Sequence, residues 1–121
     1  MTREAYLNAV AACPGHQILD RLGDKWVSLV LKELGGGPRR SGELNRALPG
    51  ASRKMLTQTL RGLERDGLVV RTTTGGAPSK VEYRLTPLGA SLHGVMLEVV
   101  GWAENHIAEV DAARSAYDGN C

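Results

Sequence analysis

At Gly67 the hydrophobic period of the chain changes from that of a helix to that of a strand, and this change limits the fold more than any other feature. Before it, Leu56, Leu60 and Leu63 recur at helical spacing. They follow Ser52, a residue type whose side-chain oxygen accepts from the free N–H groups of a helix start, and Gly67 supplies the stop just past Asp66. After Gly67, Leu68 to Thr73 is rich in β-branched residues, and Val81, Tyr83 and Leu85 alternate with Glu82 and Arg84 as in a half-buried strand. The loop signals of Thr74-Gly75-Gly76-Ala77-Pro78-Ser79 lie between them, so the segment predicts one β-hairpin with a long tip.

Upstream, Ser41 predicts the cap of a short helix through Leu44 and Leu48, and Pro49-Gly50-Ala51 a tight turn into the Ser52 helix. Asp24 predicts the cap of an earlier helix with Trp26, Val27, Leu29, Val30 and Leu34 on its apolar face, ended by Gly35-Gly36-Gly37-Pro38. Met1 to Ala12 reads as a short helix with Tyr6, Leu7 and Val10 on one side. Cys13-Pro14 breaks it and starts another, which carries Ile18, Leu19 and Leu22 and ends at Gly23. Thr86-Pro87 opens the last helix, where Leu88, Leu92, Val95, Val99, Trp102 and His106 step by four and three, widened by Met96, Ala103, Ile107 and Val110. The expected class is mainly α with a small β-hairpin wing, a winged helix-turn-helix. It divides into an N-terminal arm and helix (1–23), a winged core (24–86) and a C-terminal helix and tail (87–121).

With 121 residues, 42% of them apolar and 23% charged, the chain has the size and balance of one soluble domain. Phe is absent, so the core must be built on Leu, Val and Ala. No apolar run approaches the roughly 20 residues that span a bilayer, and Met1-Thr2-Arg3-Glu4 opens no secretory stretch. Two cysteines, Cys13 and Cys121, lack the density of a disulfide scaffold. These features predict a cytoplasmic protein with no membrane association and no cofactor.

The charge is unevenly placed. From Pro38 to Arg84 there are ten basic residues against four acidic, a surplus of +6; after Thr86 there is one basic residue against five acidic, a balance of −4. A basic middle beside an acidic end suits a polyanion-binding module with a separate, non-binding segment. Within the Ser52 helix the side opposite the leucines offers Arg53, Lys54, Thr57, Gln58 and Arg61. Arg and Lys match guanine edges, Gln matches adenine, and Thr meets a thymine methyl or a phosphate. Ser52 and the helix start can hold a backbone phosphate. Arg71, Thr74 and Lys80 in the hairpin, and Arg39, Arg40 and Ser41 before the short helix, complete the candidate DNA contacts. Any solvated helix shows such residues; a turn and short helix before it and a hairpin after it are what favour double-stranded operator DNA.

The stretch GDKWVSLVLKELGGGPRRSGELNRALPGASRKMLTQTLRGLERDGLVVR, continuing to KVEYRLTPLG, resembles the HxlR-type winged helix regulators of bacteria, relatives of the MarR class. The resemblance rests on Gly23-Asp24-Lys25-Trp26, Gly37-Pro38-Arg39-Arg40, Ser52-Arg53-Lys54-Met55-Leu56-Thr57 and Val81-Glu82-Tyr83, and runs from Cys13-Pro14 to about Trp102. The loop from Gly75 to Lys80 is richer in glycine than the family's tip, and the tail from Asp111 lies outside the matched region. The resemblance implies a homodimer joined by the terminal helices, with Leu92, Val95, Met96, Val99, Trp102, Ala103, His106 and Val110 at the interface. It also implies that the Ser52 helix enters the major groove, and repression as the default outcome.

The resemblance further implies oxidant or electrophile sensing at Cys13. A thiol at a helix start gains from the dipole and the free N–H groups, which favour the reactive thiolate; a half-buried apolar cysteine without chemistry is the competing reading. Its disulfide partner stays open between the same residue of a second subunit, Cys121 and a small thiol. His16, His93 and His106 with the cysteines fall short of a full metal ligand set. Two other functions remain in view: a winged helix that docks an acidic protein, and a regulator that answers a small-molecule effector. No nucleophile–base set or phosphate loop supports an enzyme.

Overall fold

The computed structural model describes residues 1–76 and 80–119. Its elements run α1 (Arg3–Ala12), α2 (Pro14–Leu22), α3 (Lys25–Gly35), β1 (Arg39–Arg40), α4 (Ser41–Ala47), α5 (Arg53–Arg65), β2 (Val69–Thr74), β3 (Lys80–Leu85) and α6 (Pro87–Tyr117). Most starts are capped by the residues that the sequence singles out. Asp24 accepts from the N–H groups of Trp26 and Val27, Ser52 from Met55 and Thr86 from Gly89. Pro14 and Pro87 each sit in a first turn, where a missing N–H costs nothing.

Two expectations are corrected. Ser41 is the first helical residue of α4 rather than its cap: Arg40 occupies the cap, and its backbone N–H donates to the Glu43 carboxylate at 3.0 Å. The hairpin, moreover, is part of a three-stranded antiparallel sheet of order β1-β3-β2. Arg39 pairs with Tyr83 and Arg40 with Glu82, while β2 pairs with β3 from Val69–Leu85 to Thr74–Lys80. A two-residue strand has no period of its own and exists only because β3 offers a free edge. Of the expected hairpin tip, Ala77, Pro78 and Ser79 lie outside the described residues, as does Cys121.

The core is aliphatic. Val27, Val30, Leu31 and Leu34 of α3 meet Leu44, Leu48, Leu56, Leu60, Leu63, Leu68, Val69 and Tyr83. The turn between α4 and α5 needs glycine, because Gly50 has φ +102° with the Trp26 ring 3.6 Å from where its Cβ would stand. Gly67, at φ +76°, ends α5 and turns the chain into the sheet.

The start of α6 is pinned to the same corner. The Thr86 hydroxyl donates to the Gly67 carbonyl at 2.6 Å, and the Thr86 N–H to the Leu68 carbonyl at 3.1 Å. Gly89 is buried so closely on that Leu68 carbonyl that any Cβ would collide with it. From this anchor α6 runs 31 residues, about 46 Å at 1.5 Å per residue.

Candidate nucleic-acid interface

The geometry of the site starts with α5. Leu56, Leu60 and Leu63 are buried against α3 and the sheet, which fixes the rotation of the helix. The opposite side therefore faces solvent, with Lys54, Gln58 and Arg61 exposed there and Thr57 exposed on its flank; Arg53 is exposed too, but as the first residue of α5 and at leucine spacing from Leu56 and Leu60 it lies at the helix start and not on that side. Helical spacing resolves this side further: Lys54, Gln58 and Arg61 form its outermost line, and Thr57 lies toward the sheet. Arg65 extends the same line by one turn and is exposed. Sequence reasoning passed over Arg65, although its position four residues after Arg61 was the signal.

Thr57 and Arg61 share a groove of about 450 Å³ with Ser41, Glu64, Arg71, Val81 and Tyr83. The strand register explains why Arg71 belongs there. It pairs with Tyr83, whose buried ring defines the helix-facing side of the sheet, and paired residues share a side. Arg71 thus joins the α5 surface rather than the outer side of the wing.

Lys80 and Thr74 lie one register step apart from that alternation, at the far end of the hairpin. The Thr74 hydroxyl both donates to the Lys80 carbonyl and accepts from the Lys80 N–H, at 3.3 Å each. Lys80 borders a second concavity with Arg40, Ser41, Gly42, Glu43, Arg46 and Val81. Arg46, in the last turn of α4, is a third cation here that sequence reasoning did not select.

The two neighbouring arginines of β1 differ in their surroundings. Arg40 is exposed and borders the basic concavity. Arg39 is half-buried and folds back on the turn before it, its Nη1 donating to the Pro38 carbonyl at 3.2 Å. The hydroxyl of Ser52 is engaged with the Met55 N–H at 3.1 Å and so completes the α5 cap.

Cys13 is exposed with a free thiol, at the joint where α1 ends and α2 begins. Its carbonyl accepts from the Gln17 N–H and its own N–H donates to the Val10 carbonyl, both at 3.0 Å.

The residues expected at a subunit interface fall into three groups. Leu92 and Met96 are half-buried against the protein's own core. Val95, Val99, Trp102 and Ala103 are exposed; Val99 and Trp102 keep 63% and 59% of their surface open to solvent. His106 and Val110 are half-buried. The His106 ring stacks on Trp102 at 4.5 Å between centroids, and its Nδ1 lies 2.7 Å from the Trp102 carbonyl, one helical turn earlier. Leu97, Val100 and Ile107 of α6 are exposed as well, with Ile107 at the edge of the stripe and Leu97 on the other side of the helix. Among the described residues no helix is long and apolar enough to cross a membrane.

Comparison with known proteins agrees with this geometry. A family profile described as HxlR-like helix-turn-helix matches residues 21–111. The chain is similar to the uncharacterised HTH-type transcriptional regulator YkvN of Bacillus subtilis, with 44% identity over 97 residues, or 80% of this chain and 81% of that one. Among solved structures it is similar to the redox regulator HypR in its reduced form, with 34% identity and a TM-score of 0.75 over 83% of this chain and 99% of that one. It is similar also to the reduced form of the transcriptional regulator YodB from B. subtilis, with 35% identity and a TM-score of 0.69 over 76% of this chain and 91% of that one.

Proposed function

The chain belongs to the HxlR-like helix-turn-helix family and is a transcriptional regulator, not an enzyme; from that premise we propose that it binds operator DNA as a cytoplasmic homodimer and represses transcription until Cys13 is oxidised. In this reading α5 lies in the major groove, with Lys54, Gln58 and Arg61 at base edges and Thr57 and Arg71 beside them. Arg40, Arg46 and Lys80 meet phosphates, which hold the register without reading sequence. Two copies joined through α6 and α1 present two α5 helices to half-sites about 34–36 Å apart.

The observation that carries the reading is the exposed polar line of α5, aimed outward by three buried leucines and flanked by cations from α4 and the wing. For the regulatory step, a hydroperoxide transfers one oxygen to the Cys13 sulfur as its O–O bond breaks. The thiol becomes a sulfenic acid and the peroxide leaves as an alcohol or water.

Selection of bound genomic fragments supplies the operator, and two substitutions then test the assignment. Gln58→Ala should cost about 1–3 kcal/mol on the operator and relax base choice at one position, whereas Arg40→Ala should weaken all duplexes alike. Unchanged base preference in Gln58→Ala sinks the base-reading role, and equal loss of operator binding on peroxide treatment of wild type and Cys13→Ser removes Cys13 as the sensor.

A further inference from the structure

Arg21 occupies a place that none of these roles uses. It lies in the last turn of α2, and its Nε donates to Asp66 Oδ2 at 2.7 Å, across 45 residues of sequence. Asp66 is the C-cap of α5. The same guanidinium lies over Gly62 of α5, where a Cβ would stand 2.7 Å from Nη1 and 3.3 Å from Cζ. Glycine weakens a helix interior, so its presence under Arg21 fits a need for close approach rather than for helix formation.

Both partners are largely shielded, with side-chain exposures of 32% and 21%. The other ion pair among the described residues, Arg114–Asp111, lies within α6, so Arg21–Asp66 is the one that ties two elements together. Residues 14–20 of α2 are exposed, which leaves Arg21 and Leu22 as the end of α2 that grips the body. Arg21 also shares a cleft with Gln58, Met55 and Trp26 along one flank of α5, and another with Arg65 and Asp66.

We propose that Arg21 is a positioning residue for the DNA-reading helix: seated in the notch left by Gly62 and fastened to Asp66, it sets the angle between α2 and α5. That angle in turn sets how Lys54, Gln58, Arg61 and Arg65 meet a duplex. The inference rests on α5 being the reading helix and adds how the N-terminal helices hold it in place.

The test uses Asp66→Asn and Gly62→Ala in the full chain. The first removes the charge that holds Arg21 while making the protein more positive; the second fills the notch, keeps both charges and inserts a better helix former, so α5 is retained. Fluorescence anisotropy gives the affinity for the selected operator and for a scrambled duplex of equal length. Amide hydrogen exchange on the DNA-free protein reports α5 itself.

Each substitution should lower the operator-to-scrambled affinity ratio about five- to tenfold, the size of a typical contact coupling, and hasten exchange in the second half of α5. An unchanged ratio in either variant overturns the proposal. So does a uniform gain for both duplexes in Asp66→Asn, which would mark the freed arginine as an ordinary phosphate contact. Should the unmodified protein prefer no duplex, the DNA reading falls by itself, and exchange in α5 alone decides whether Arg21 braces that helix.

Discussion

The apolar residues of α3 and α5 and those of the outer part of α6 are of one chemical kind, yet they meet opposite fates. Val30, Leu31 and Leu63 are sealed from water, whereas Val99, Val100, Trp102 and Ile107 are about half exposed or more. The winged core closes on itself because α3, α4, α5 and the sheet surround a common volume. Among the described residues none of α6 past Met96 packs against that core, and Val95, Val99, Trp102 and Ala103 of its stripe stay exposed. Exposed α1, with Tyr6 and Leu7 on its surface, repeats the pattern at the other end of the chain. An apolar surface left open over several helical turns is the kind that intermolecular contacts cover, and under the proposed function a second copy of this chain covers it.

The contrast breaks hardest in the core. Leu63→Ala removes a fully buried side chain and should destabilise the fold by about 2–5 kcal/mol, read by urea unfolding with the slope unchanged. A loss near zero would mean that the core is not the self-sufficient unit described above. Next in size is Val99→Asp, which places a charge in the uncovered stripe. Sedimentation velocity should show the dimer dissociation constant rising by roughly a hundredfold, as for loss of a central apolar contact, while unfolding of the separated subunit shifts by no more than about 0.5 kcal/mol. A wild type that stays monomeric at high concentration removes the second copy from the account. The smallest effect belongs to Arg114→Ala, whose exposed partner Asp111 lies 3.4 Å away on the same helix. A change of about 0.3 kcal/mol or less in thermal unfolding is expected there; a larger one would show that the end of α6 is packed against something.

The caps at Asp24, Ser52 and Thr86, the breaks at Cys13-Pro14 and Gly67, and the buried leucines of α5 were all legible in the sequence. Each depends on a residue and its neighbours within one or two helical turns, where backbone hydrogen bonds and the 3.6-residue period leave few choices. The candidate interface was legible on α5 for the same reason, since knowing the buried side of a helix determines the exposed one.

Elsewhere the outcome depended on partners far along the chain. Arg39 and Arg40 become a strand only because β3 presents an edge, and that pairing gives the two arginines different surroundings. Arg71 joins α5 because its register with Tyr83 turns it toward the helices. Leu92 and Met96 look like the rest of the α6 stripe in sequence, but the anchoring of Thr86 and Gly89 at Leu68 brings those two alone over the core. Arg21, Gly62 and Asp66 carry no local signal of the contact between them. Sequence by itself determined the elements and their inner and outer sides, because short-range hydrogen bonding and periodicity dictate them. Only the tertiary structure decided which outer sides meet, because a contact across 45 residues depends on where packing sets two helices and not on the propensity of either.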